Sequence, residues 1–388
     1  MAEPLNPLDF IDINALLTDE ERQIRDLARE WVVDKILPNV EDWYERGEFP
    51  ARELAKELGA LGFLGMQLPE IGGLGAVAYG LVELELEAGD SGLRSFVSVT
   101  SALAMFAIWS FGSDEQKTEW LPRLQSGEAI GCFGLSEPDS GSDPGSMRTF
   151  AKRDGDDWVL SGTKMWITNG SVSDVAIVWA NTDDGIRGFV VPCDAPGFSA
   201  PDIHKKLSLR ASVTSELVMD EVRLPAGAVL PEVTGLRGPL SCLNEARFGI
   251  IWGVMGAARA CFESSLNYAK TRIQFDRPIG SFQLIQKKLA DMALELNKGT
   301  LLAYHLGRMK EQGRLRPQHV SIGKLNNARA ALDIARTSRG IHGANGITLE
   351  YPIMRHMTNL ESVVTYEGTE EVHTLVIGEA LTGLRAYT

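Results

Sequence analysis

The sequence predicts an α+β multidomain chain: an N-terminal α-helical domain, a central β-barrel-like domain and a C-terminal four-helix bundle. Three observations predict it. Helical periodicity runs from Thr18 to about Gly127. From Ala129 to about Pro231, short β-type runs alternate with turn residues. From about Gly238 onward, long helical runs return, joined by short loops. At 388 residues the chain exceeds what one core usually serves, so domains are expected at 1–128, 129–235 and 236–388.

In the first part, Thr18-Asp19-Glu20-Glu21 is a capping-box pattern ahead of Ile24, Leu27, Ala28, Trp31 and Val32, and Pro38 lies at or just past that helix's end. Arg52 to Leu61 is amphipathic, and Gly62 to Gly75 is a glycine-rich loop. Tyr79 to Ala88 and Ser95 to Phe111 are further helices, and Ser113 opens another that closes before Gly127. In the β part, strands are expected at Ile130–Leu135, Trp158–Leu160, Val175–Ala180, Gly188–Val191, Glu216–Met219 and Val222–Leu224. Asp154 to Asp157 and Asp183 to Gly185 are hairpin-type turns. In the last part, Gly249–Arg272, Leu284–Gly313 and Pro317–Gly340 are long helices, and the segment after Gly346 supplies a fourth. Small residues dot the first of these, so a neighbouring helix can approach closely.

Composition narrows the function. A formal charge of −14 argues against a nucleic-acid partner, which needs a basic face. The four cysteines lack CxxC spacing and the six histidines form no HExxH pattern, so no metal site is expected. Phe96 to Phe111 is too short and interrupted to span a membrane and reads as a buried helix. The acidic N-terminus resembles neither a signal nor a transit peptide, so a cytoplasmic location and no membrane partner are expected.

Five stretches carry chemistry. Cys132 to Asp143 ends a strand in a loop rich in hydroxyls and glycine, suited to a heterocycle edge or a phosphate-bearing tail; an ordinary turn is the plain alternative. Lys164 to Gly170 sets Trp166 beside Thr168, against a planar ligand or simply in the core. Arg272-Ile273-Gln274-Phe275 and Phe282 to Gln286 could clamp a pyrophosphate, or cap helices. Gly340 to Gly346 is a glycine-dense corner that lets backbone approach a ligand, or a helix C-cap and turn. Finally, Tyr366-Glu367-Gly368-Thr369 precedes a helix. Thr369 suits its N-cap and Glu370 and Glu371 its first turn, while Glu367 is either a surface acid or a carboxylate aimed into a cleft.

In this order the motifs CFGLSEPDSGSD, KMWITNG, RIQF…FQLIQKKLADM, HGANG and YEGTEEVH resemble the acyl-CoA dehydrogenase family of flavoenzymes over nearly the full length. Leu93 to Ser98, Leu207 to Ser212, Cys242 to Ile250 and Tyr366 are most similar to its glutaryl-CoA dehydrogenase branch. The resemblance implies FAD as cofactor, Glu367 as catalytic base and a homotetramer built as a dimer of dimers. It implies FAD contacts at Phe133, Leu135, Ser136, Gly141, Ser142, Trp166 and Thr168. Further contacts are implied at Arg272, Phe275, Gln283, Gln286, His342, Gly343, Gly346, Thr369 and Glu371, many of them across a subunit boundary. Ser142, Asn244 and Arg247 match residues on the CoA side.

Arg94 would bind the distal carboxylate of a glutaryl chain, with Ser98 one turn on and Glu87 and Tyr366 tuning that end. Without the resemblance, a salt bridge from Arg94 to Asp90 or Glu87 is the simpler reading. The implied activity is α,β-dehydrogenation of glutaryl-CoA with decarboxylation to crotonyl-CoA and CO2, electrons passing to electron transfer flavoprotein. The alternatives are a dehydrogenase for another short or branched acyl-CoA and a non-catalytic flavoprotein-like scaffold. Leu93 stands where the family often has tyrosine, which bears on fine substrate preference.

Overall fold

In the computed structural model, residues 5–386 are described; the first four residues of the N-terminal stretch read for targeting lie outside them. Thr18 caps α1 (Asp19–Trp31) through a complete capping box with Glu21. The chain continues through α2 (Val40–Arg46), α3 (Ala51–Ala60) and α4 (Ala76–Gly89). Next come α5 (Ser91–Ser98), a π-helical turn at Val99–Met105, and α6 (Phe106–Phe111). This unbroken helical run, Ser91–Phe111, is longer than the sequence reading gave and is long and apolar enough to cross a membrane. Of its most apolar 18-residue window, 94% is buried inside the protein, as in a core helix. Helix α7 (Asp114–Gln125) follows, capped by Ser113 and Gln116.

The strands form one curled sheet: β1 (Gly131–Gly134), β2 (Phe150–Asp154), β3 (Asp157–Thr168), β4 (Val175–Thr182), β5 (Gly185–Pro192), β6 (Phe198–Ser199) and β7 (Thr214–Leu224). Its order is β1-β4-β2-β3-β7-β6, with β5 on β4. Both expected hairpin turns are present, closing Asp154 onto Asp157 and Thr182 onto Gly185. The two runs read as separate strands at Glu216 and Val222 are one strand, β7, bulged where Glu221 takes a φ of 53°. Along β4, Val175, Ile177 and Trp179 face α6 and α7, while Ala176, Val178 and Ala180 face the sheet's other core. That alternation is the strand period of two with both faces covered.

The last part holds α8 (Arg237–Thr271), a small hairpin of β8 (Ile273–Gln274) and β9 (Arg277–Pro278), α9 (Gln283–Glu311) and α10 (Pro317–His342). The fourth member of the bundle is interrupted into α11 (Ile353–Val363) and α12 (Glu370–Thr382). The N-terminal and C-terminal helices share one core, in which Val77, Leu81 and Leu84 of α4 meet Ile251, Val254 and Ala258 of α8. At their crossing, a β-carbon on Gly256 would stand 1.8 Å from the Leu84 carbonyl oxygen. Only glycine permits that approach. Gly256→Ala is expected to cost about 1–3 kcal/mol through overpacking, read as a lower denaturant midpoint at unchanged m-value.

Candidate active site

The break between α11 and α12 is made by backbone and by two basic side chains. Glu367 has a φ of 54° and Gly368 a φ of 99°, neither compatible with a continuing helix. Lys324 on α10 donates from Nζ to the carbonyls of Tyr366 and Gly368, the latter at 2.6 Å. Arg247 on α8 donates from Nε to the Glu367 carbonyl at 2.6 Å. Three successive carbonyls are thus taken by neighbouring helices. The described peptides are trans, so the Glu367 N–H points away from the Tyr366 carbonyl and from Lys324. Thr369 then caps α12, accepting from the Val372 N–H at 3.3 Å. Glu370 pairs with Arg329, and Glu371 is exposed.

The Glu367 carboxyl is not a surface acid. Its Oε2 is buried, with no hydrogen-bond partner among the described residues. Burial pushes its pKa above the usual carboxylate range, against the opposing pull of Arg94, Lys324 and Arg247. Burial likewise pushes Lys324 down to about 7, with Glu367 pulling it up.

Beyond Glu367 lies a buried polar cluster. Arg94 on α5 is fully buried; its Nε donates to Glu87 Oε2 at 2.8 Å, and one Nη donates to the Tyr366 hydroxyl. Among the described residues its Nη1 has no partner, nor does the Ser98 hydroxyl, also buried. The simpler sequence reading therefore holds for Glu87. Asp90 instead binds Arg355 at 2.5 Å and Asn359 at 3.0 Å and caps α5 through the Gly92 N–H. That anchors the start of α5 to α11, which fixes where Arg94 can reach. Helix α4 supplies Glu83 and Glu87 four residues apart on this face, while Glu85 turns the other way to Arg29 and Arg259.

The two β-domain motifs meet each other. Phe133 and Leu135 are buried at the end of β1, Ser136 is half-buried, and Gly141 and Ser142 are exposed. A bulge in β3 at Met165-Trp166, with a Trp166 φ of 64°, turns that indole outward to 63% exposure. Trp166 is therefore not core. The Met165 N–H bonds the Ser136 carbonyl at 2.9 Å, stitching the bulge to the loop, and Thr168 is half-buried nearby on β3. Beneath them Lys164, wholly buried, donates to Glu137 Oε1 at 2.8 Å and to the Leu135 carbonyl at 3.1 Å. Asn169 tethers this motif to α5 through the Phe96 carbonyl at 3.4 Å.

A third group lies at the far end of α8. Arg272, Phe275, Gln283 and Gln286 are exposed on the β8–β9 hairpin and the start of α9. His342 is buried, its ring stacked on Tyr268 at 4.5 Å, and Gly343 and Gly346 follow it. Arg247 and Arg272 are 25 residues apart on α8, about 38 Å at the helical rise. Asn244, one turn before Arg247, is half-buried.

Three family models match in sequence: acyl-CoA dehydrogenase N-terminal domain over 18–128, middle domain over 132–222, and C-terminal domain over 234–382. The chain belongs to the acyl-CoA dehydrogenase family. It is 35% identical over 380 residues to the mitochondrial short-chain specific acyl-CoA dehydrogenase of Homo sapiens, covering 96% of this chain and 92% of that one. A crystal structure of glutaryl-CoA dehydrogenase from Mycobacterium smegmatis superposes with a TM-score of 0.98 at 65% identity, covering 99% of this chain and all of that one. A glutaryl-CoA dehydrogenase from the same organism in complex with FADH2 also gives 0.98, at 59% identity and with the same coverage. This acyl-CoA dehydrogenase is accordingly an FAD-dependent oxidoreductase acting on a CH–CH bond of an acyl-CoA.

Several residues of the site escaped the sequence reading. Lys324 sits mid-helix without a motif, Glu83 looks like one more acid in a Glu-rich helix, and the Lys164–Glu137 pair joins residues 27 positions apart. Burial alone would raise the Glu137 carboxyl, but Lys164, Thr149 and the Arg148 N–H outweigh it and hold its pKa below the usual range. Its contribution to stability is therefore present at neutral pH and lost as pH falls through that lowered value. Lys164→Met strands a buried carboxylate and is expected to cost about 3–5 kcal/mol in denaturant unfolding at neutral pH. The deficit should shrink in acid, where Glu137 takes up a proton.

Proposed function

We propose that this acyl-CoA dehydrogenase oxidises glutaryl-CoA and decarboxylates the product to crotonyl-CoA and CO2, passing electrons to electron transfer flavoprotein. One observation carries the reading. Arg94 is a wholly buried guanidinium whose Nη1 has no partner, beside an unpartnered Ser98 hydroxyl and in reach of the Tyr366–Glu367 loop. A chain ending in a methyl group would leave those donors unsatisfied; a chain ending in a carboxylate satisfies them.

Glu367 is the base that removes the α-proton of the thioester. Its unpartnered Oε2 is free to accept, and its raised pKa narrows the gap to a weak carbon acid. The Glu367 N–H, turned away from Lys324, suits the thioester oxygen as a hydrogen-bond donor while charge develops there. Lys324 and Arg247 keep that peptide oriented. FAD, when bound, supplies the acceptor for the β-hydride. Loss of the distal carboxylate as CO2 leaves a dienolate, which the proton now on Glu367 quenches to crotonyl-CoA.

The chain's surface fits FAD. Trp166 and Thr168 offer an aromatic face and a hydroxyl beside the Phe133–Ser136 edge, with Gly141 and Ser142 open above. Arg272, Phe275, Gln283, Gln286, His342, Gly343 and Gly346 lie too far along α8 to share one chain's Glu367 site. They suit the dinucleotide of a neighbouring copy, which supports a homotetramer. Phe275 and Leu284, 87% and 75% exposed, suit coverage by that copy.

The short-chain relative favours a second reading, a dehydrogenase for another short or branched acyl-CoA. Substitution separates the two. Glu367→Gln should bind flavin yet lower kcat by about 10²–10⁴-fold, abolishing anaerobic bleaching by substrate. In the parent enzyme, kcat/KM should rise with pH through the elevated Glu367 pKa. Arg94→Ala should lower kcat/KM for glutaryl-CoA by about 2–5 kcal/mol, a factor of at least thirty. Butyryl-CoA turnover measured alongside should fall much less; equal losses on both would end the glutaryl reading.

A further inference from the structure

Glu83 has been given no role so far, yet it is the most unusual group beside Arg94. It is wholly buried, and neither carboxyl oxygen has a hydrogen-bond partner among the described residues. Its Oε2 lies 4.0 Å from Arg94 Nε, whose near contact is already taken by Glu87 at 2.8 Å. The Tyr79 hydroxyl stands beside both Glu83 and Ser98 without an aligned bond to either. Four polar side chains therefore meet here with donors or acceptors unused: Tyr79, Glu83, Arg94 and Ser98.

The space is built into α8. A β-carbon on Gly249 would stand 2.9 Å from the Tyr79 hydroxyl and 3.3 Å from Glu83 Oε2. One on Gly253, a turn later, would stand 2.2 Å from Glu87 Oε2. Two glycines four residues apart thus make room for this cluster.

We propose that Glu83 is a specificity residue that stays protonated and donates a hydrogen bond to the distal carboxylate of a dicarboxylic acyl-CoA. This rests on the reading of Arg94 as that carboxylate's partner. One guanidinium with one ion-paired carboxylate is already neutral, so a second buried carboxyl beside them is held as the acid. Burial pushes Glu83 up to about 8; Arg94 and Tyr79 pull it down, and Glu87 and Glu367 add to the rise. An incoming carboxylate adds negative charge and holds the proton more firmly. The groups facing Glu83 are Tyr79 and Glu87 on its own helix, Arg94 on α5 and Glu367 on the loop before α12, while α8 presents Gly249. An acyl chain with an apolar end gains nothing from this donor.

The test is the ratio of KM for glutaryl-CoA to KM for butyryl-CoA, followed from pH 7 to pH 9 on the holoenzyme. Glu367, Lys324 and the CoA moiety act on both substrates, so the ratio isolates the distal end. In the parent enzyme the ratio should climb about tenfold by pH 9, one unit above the Glu83 value. In Glu83→Gln, which keeps a donor at every pH, it should stay flat within about twofold. A parent ratio that does not climb, or an equal climb in Glu83→Gln, overturns the proposal. So does tighter glutaryl-CoA binding by Glu83→Gln at every pH, which would mark Glu83 as a repelling carboxylate.

One measurement needs no variant. Infrared difference spectra of the parent holoenzyme at pH 7 should keep a protonated carboxyl band when glutaryl-CoA binds, and its loss would equally overturn the proposal. The Arg94 reading fails separately, when the parent enzyme shows no preference for glutaryl-CoA over butyryl-CoA at pH 7; the Glu83 proposal then falls with it.

Discussion

The site depends on one interaction above all, the buried ammonium of Lys324 under the carbonyls of Tyr366 and Gly368. Residues 353–382 have the content of a single helix. Lys324, joined by Arg247 on the carbonyl between, donates to carbonyls that the N–H groups of a further helical turn would otherwise take. The helix stops, Glu367 is turned into the left-handed region, and its carboxyl is left buried and unpartnered. A loop held only by its own turns would not keep such a backbone. Here two neighbouring helices over-determine it, so the strain is retained.

Around that loop the electrostatics divide by depth. Near Glu367, two basic groups hold backbone and moderate the acid's rise. Farther in, Arg94 is balanced by Glu87, and Tyr366 links the two zones through its hydroxyl and its carbonyl. The carboxyls at 83, 87 and 367 are thus placed in three different surroundings by one buried guanidinium, which is how like groups come to behave unlike.

Much of this was legible in the sequence. Capping boxes at Thr18 and Ser113 and hairpin turns at 154 and 183 are local events, and local composition states them directly. Motif resemblance singled out Glu367 and Arg94, whose side chains reach the protein interior, and Trp166, which is turned outward. What was not legible is long-range. Residue pattern alone left Trp166 between a planar ligand and the core, and only the bulge in β3 turns it out. The length of β7 was hidden because its bulge at Glu221 mimics a turn. Lys324 and Glu83 were missed because a polar residue in a helix announces neither its burial nor its partner. Arg247, matched to the CoA tail, also grips the Glu367 carbonyl, a contact 120 positions away that no spacing rule reaches.

The room behind Arg94 is made by what α8 lacks rather than by what α4 and α5 carry. Gly249 and Gly253 shape that chamber by their missing methyl groups. Divergence here is therefore lopsided. A single added methyl on α8 crowds Tyr79 and Glu83 from Gly249, or Glu87 and Arg94 from Gly253. The return journey needs a glycine restored on a helix that prefers alanine, together with a balanced set of buried charges. If the proposed glutaryl-CoA reading holds, a lineage would lose that preference in one step and recover it only in several.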